Sequence, residues 1–87
     1  MNSNKHIIIG VHITNRLKEV KDVQALLTEY GCNVKTRLGL HEVDKCDSPE
    51  GVLLLEMYGE ESVCLELADK LNEIEGVETQ RMIFDHV

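Results

Sequence analysis

A chain of 87 residues with a formal net charge of −7 has room for one small domain, spanning 1–87, and for one core. That charge argues against nucleic acid as a direct partner, because phosphate contacts need a basic face, and equally against an anionic membrane surface. Hydrophobic residues make up 43% of the chain, yet it has no Trp, one Phe and two Tyr, so the core must be built from Leu, Ile and Val. A thin core of this kind is commonly supplemented by self-association.

After a polar start, His6–Ile13 alternates as a strand, with Ile7, Ile9, Val11 and Ile13 on one face and His6, Ile8, Gly10 and His12 on the other. Asn15 then caps a predicted helix, Arg16–Tyr30, whose stripe is Leu17, Val20, Val23, Leu27 and Tyr30. Gly31 is expected to end it in the left-handed conformation. The second strand, Asn33–His41, is expected to send Val34, Leu38 and Leu40 inward and Lys35, Arg37, Gly39 and His41 outward. Glu42–Gly51, with the single proline Pro49, Asp44, Asp47 and Ser48, reads as a polar hairpin connection. The third strand, Val52–Tyr58, turns Leu53, Leu55 and Met57 inward and Val52, Leu54, Glu56 and Tyr58 outward. A second helix, Glu60–Glu75, opens on an acidic first turn and closes at Gly76. Its predicted stripe is Val63, Leu67, Leu71 and Ile74, with Cys64 and Ala68 at the edge. In the last strand, Val77–Phe84, an inward Val77 leaves Glu78, Gln80, Met82, Phe84 and then His86 outward.

One pattern of strand, helix, Gly and strand thus runs through the chain twice. The resulting β-α-β-β-α-β order is the signature of an α+β, ferredoxin-like sandwich. In that fold, two helices cover one face of a four-stranded antiparallel sheet of order 4-1-3-2. The opposite face is bare. It is expected to carry all four histidines and an apolar patch of Ile8, Val52, Leu54, Tyr58, Met82 and Phe84, with Gly10 among them. Patches of this kind mark interfaces, and glycines within strands mark close approach by a ligand or another backbone. The expected partner is a second copy of the chain, as a homodimer or homotetramer.

The chemistry on that face is sparse. His12 and His41 should lie roughly 10 Å apart across two strand spacings, too far to share a metal. His6 and His86, on adjacent strands, could approach to about 5 Å and hold zinc or nickel with a ligand from a second subunit. Histidine also titrates near neutrality, so a proton-driven change in assembly is an alternative use for the same residues. Arg37, Gly39 and His41 form the candidate site for a small anionic effector. Three cysteines without a C-x-x-C pair suit a reducing compartment, with Cys32 and Cys64 expected to be buried and Cys46 exposed in the connection. Asp44, Asp47 and His41 around Cys46 would raise its thiol pKa, so a catalytic nucleophile is not expected there. Neither a signal peptide nor a membrane span is read from the sequence, and the expected location is the cytoplasm. No nucleophile–base–orienter set is legible, so catalysis is not expected.

The Tyr30-Gly31 helix exit and the Gly76-Val77-Glu78 run into the last strand, within this element order, resemble ACT-type regulatory domains. Arg37-Leu38-Gly39-Leu40-His41, followed by Gly51-Val52-Leu53-Leu54-Leu55, is similar to small stand-alone proteins assigned as iron-only hydrogenase system regulators. It is also similar to the C-terminal sensing domain of nickel-responsive regulators. The resemblance spans nearly the whole chain. It implies a regulatory domain that dimerises or tetramerises and holds a small effector between subunits; any effect on transcription would have to pass through a partner. Of the nickel-ligand positions in that family, only His41 matches a ligand here; Thr28, Gly39 and Gly51 occupy the others. Where amino-acid-binding ACT domains have a Gly-containing turn, this chain has Thr14-Asn15-Arg16. A ligand-free adaptor whose open face binds another protein is the remaining alternative.

Overall fold

The computed structural model describes residues 5–14, 16–40 and 51–85. Its elements are β1 (His6–Ile13), α1 (Arg16–Glu29), a short 3-10 turn (Gly31–Asn33), β2 (Val34–Leu40), β3 (Gly51–Met57), α2 (Glu61–Asn72) and β4 (Val77–Phe84). The strands form one antiparallel sheet in the order β2-β3-β1-β4, the 4-1-3-2 arrangement expected of a ferredoxin-like sandwich. No helix among the described residues is long and apolar enough to cross a membrane.

The core lies between the sheet and the helices. Ile7, Ile9, Val11 and Ile13 of the central strand are all buried, as their alternation requires, and Leu55, Met57 and Val77 join them from the neighbouring strands. Val23 and Leu27 of α1, with Tyr30 just past its end, close the core from that side. From α2 the buried residues are Cys64, Leu67, Ala68 and Leu71, while Val63 is only partly buried and Ile74, also partly buried, lies past the end of the helix. The inward stripe is therefore rotated from the one expected: Cys64 and Ala68 sit at its centre. Their small side chains let the helix backbone come close to β4, where the Thr79 hydroxyl reaches the Ala68 carbonyl at 3.4 Å.

Three further expectations need correction. Gly31 does not adopt a positive φ; the exit from α1 is a 3-10 turn in which the Asn33 amide donates to the Tyr30 carbonyl at 2.9 Å. Nor does Gly76 close the second helix, which stops at Asn72 with Glu73 as its cap; Gly76, with φ +87°, belongs to the turn into β4, and Gly59, just before α2, has φ +100°. Cys32 follows Gly31 in this turn and is exposed rather than buried.

The larger correction concerns β2. Val34 pairs with Met57, but the next register pair is Thr36 with Glu56, so Lys35 is an extra residue and forms a β-bulge. One inserted residue reverses the parity of everything after it. Leu38 stands opposite Leu54, on the bare face, and is 51% exposed, and the register continues to the pair Leu40 with Val52. Arg37 is opposite the buried Leu55, and Gly39 is opposite Leu53, on the helix side.

Candidate functional site

Because cross-strand partners share a face, the register lays out the open face in rows. Thr36, Glu56, Ile8 and Met82 form one row. Leu38, Leu54, Gly10 and Gln80 form the next, and Val52, His12 and Glu78 the one after. His6 and Phe84 pair at the far end. Ile8, Gly10, Val52, Leu54, Met82 and Phe84 thus share the face assigned to them from parity, and Met82 and Phe84 each remain 47% exposed. Tyr58, just past the end of β3, is exposed as well. Leu38, expected in the core, enlarges the apolar patch.

Two features break the apolar surface. At one end, both carboxylate oxygens of Glu56 are engaged: the Thr36 hydroxyl donates to Oε1 at 2.8 Å, and His6 Nε2 lies 2.9 Å from Oε2. The Thr36 hydrogen bond is the main cause, and the His6 bond the next, of a Glu56 carboxyl held below its ordinary pKa. The His6 ring also leans on Phe84, with centroids 6.1 Å apart. Toward the other end a depression of about 440 Å³ opens over Gly10, lined by Gly10, Val11, His12, Val52, Glu78 and Gln80. The missing side chain of Gly10 forms its floor.

Several predicted site residues do not come together. Arg37 and Gly39 lie on the helix side of β2 and are removed from the open-face patch by the bulge. They share no surface with His12 or the depression, and His41, the third member of that candidate anion site, lies outside the described residues. His6 and His12 stand six positions apart on one strand, roughly 20 Å at the usual rise per residue, so they act separately. His86 and Cys46 also lie outside the described residues. Among the described residues no group of three or more His, Cys, Asp or Glu side chains is arranged to hold a metal ion. Glu56, Glu78 and Gln80 were placed outward by parity without an assigned role; their value becomes visible only with the cross-strand register. Thr36 was hidden by the bulge.

The fold is shared with solved structures. An uncharacterized protein from Thermotoga maritima superposes with a TM-score of 0.77 at 20% sequence identity, over 91% of this chain and 96% of that one. A candidate PII-like signaling protein from Thermus thermophilus matches with a TM-score of 0.55 at 14% identity, over 95% of this chain and 92% of its own. No family model matches the sequence. No curated protein matches it either. At these identities the likeness establishes a shared ferredoxin-like fold.

Proposed function

We propose that this chain is a small, non-catalytic regulatory module that self-associates through its open sheet face and holds a small effector there, in the manner of ACT-like domains. The observation that carries the reading is the bare apolar patch of Leu38, Leu54, Met82 and Phe84 beside the depression at Gly10. A face of this composition in a chain with so thin a core is more stable covered than wet. The description of the Thermus thermophilus relative as a candidate signaling protein is in keeping with a regulatory role. Any effect on transcription would pass through a protein partner, since the chain is acidic.

Native mass spectrometry with sedimentation velocity at micromolar concentration tests the proposal. A dimer or tetramer is expected, shifted toward monomer by Leu54→Glu or by the more exposed Met82→Glu. A monodisperse monomer indifferent to both substitutions would overturn it. The same spectra, recorded with added nickel and zinc, report whether the open-face histidines take up metal.

A further inference from the structure

We infer that the depression over Gly10 is a binding site for a small molecule carrying a primary ammonium group, an inference that rests on reading the open face as the effector surface. Gly10 lies in the middle of the central strand, where a glycine weakens pairing and packs nothing. Its φ is not in the left-handed region. A Cβ placed on it would stand 3.8 Å from the Gln80 carbonyl oxygen and 3.9 Å from Leu54 Cδ2, both ordinary van der Waals contacts. Neither the backbone nor the packing of the chain therefore requires glycine here. What the absent side chain produces is the floor of the depression.

The walls determine what the depression can take. His12 and Glu78 are direct cross-strand partners, and Gln80 and Val52 complete the rim. The site thus offers a carboxylate, a carboxamide, an imidazole and an apolar shelf. Among the described residues no lysine or arginine lines it. Arg37 is on the helix side of the sheet, and Arg81, also on that side, is paired with Asp69 at 2.9 Å. Lys35, in the bulge, acts on Glu56 and does not line the depression. A phosphate or carboxylate ligand would meet the charge of Glu78 with no fixed cation among these lining residues to offset it. An ammonium group instead donates a charge-assisted hydrogen bond to the Glu78 carboxylate and can donate another to the Gln80 amide oxygen, while its carbon chain lies on Gly10 and Val52. The net charge of −7 favours the approach of such a cation.

The test is an amide ¹H–¹⁵N titration of the whole chain with 1,4-diaminobutane, and separately with inorganic phosphate, in about 150 mM sodium chloride to screen non-specific attraction. The expected result is a saturable shift confined to the amides of Gly10, Val11, His12, Val52, Glu78 and Gln80 with the diamine alone. Glu78→Gln should weaken binding about tenfold by removing the charged acceptor. Gly10→Ala, which fits without a clash, should weaken it several-fold by filling the floor, and the unperturbed amides confirm that each variant is folded. Shifts that fail to saturate, that spread over the helix carboxylates, that survive both substitutions, or that phosphate produces at the same amides would each overturn the assignment. Mass measured in the same buffer separates the two readings. An oligomer without the localised shift sinks the ammonium site and leaves the proposed function, whereas a monomer that shows the shift does the reverse.

Discussion

Asn33 and Gly59 hold one another in place. The Asn33 amide Nδ2 donates to the Tyr58 carbonyl at 3.0 Å, and a Cβ on Gly59 would stand only 2.8 Å from that same nitrogen. The Tyr58 amide returns a bond to the Asn33 carbonyl at 2.8 Å, so the 3-10 turn after α1 is stitched to the segment leading into α2. Gly59 also has φ +100°, which a side chain disfavours by itself. Gly59→Ala should therefore destabilise the fold by about 2 kcal/mol or more, combining backbone strain with displacement of Asn33. Asn33→Ala should cost less, about 1 kcal/mol for the lost hydrogen bond. Thermal melts of the two variants check the ranking.

The bulge at Lys35 makes a second prediction, about two leucines with opposite fates. Leu38 faces out and Leu55, beside Arg37 in the register, is fully buried. Leu38→Lys should leave folding stability within about 0.5 kcal/mol of the parent, as exposed substitutions do, and should weaken the proposed self-association. Leu55→Ala should cost about 2–5 kcal/mol through lost transfer energy and a cavity. Urea unfolding of both variants, with sedimentation of the first, decides between this arrangement and a β2 without a bulge, in which Leu38 would be the costly one.

Those two residues also show where the sequence is legible and where it is not. The limits of β1 and β4, and the inward sets of β1 and β3, follow from period-two alternation, because a strand buried on one face favours that pattern, whereas in β4 only Val77 is buried and the alternation is weak. The same alternation is present in β2, as Val34, Leu38 and Leu40, and there it misleads. Inserting Lys35 is a choice made by pairing with β3, and the sequence of β2 carries no mark of it. The assignments of Arg37 and Gly39 to the open face failed for that reason alone. In α2 the error was smaller: Cys64 and Ala68 are short side chains that a hydrophobicity stripe undervalues, yet close helix–sheet packing puts them at the centre. Gly10 was legible as a strand glycine on the open face, but the depression above it needed the register of both neighbouring strands.

The pairing of Glu56 implies a pH dependence whose sign is fixed. Its folded-state pKa is lowered from about 4.5, first by the Thr36 hydroxyl and then by His6. A carboxyl depressed on folding adds stability that is present above its unfolded pKa and is lost as pH falls through the folded one. Denaturant midpoints of the parent should therefore drop on acidification from about pH 5 downward. In Thr36→Val the carboxyl should titrate closer to 4.5, and the drop assigned to it should shrink. A side-chain carbonyl NMR titration of Glu56 in both proteins checks this directly. An unchanged Glu56 titration in Thr36→Val would show that the hydroxyl is not the cause.

The two described cysteines should differ sharply in reactivity. Cys32 is exposed in the 3-10 turn, whereas Cys64 is 1% exposed in the centre of the α2 stripe. Burial is the largest cause that raises the Cys64 thiol pKa, outweighing its 3.7 Å contact with the Tyr58 carbonyl. Only the thiolate attacks an alkylating reagent, so both its scarcity and its inaccessibility protect Cys64. Brief treatment with iodoacetamide at neutral pH, followed by peptide mapping, should label Cys32 within minutes and leave Cys64 unmodified. Labelling of Cys64 should appear only when urea unfolds the chain, at a rate set by the population of the open state. Because Cys64 packs beside Leu67 and Ala68 under the sheet, its protection reports the integrity of the α2–sheet contact. Rapid labelling of Cys64 in the native protein would mean that α2 does not seat on the sheet as described.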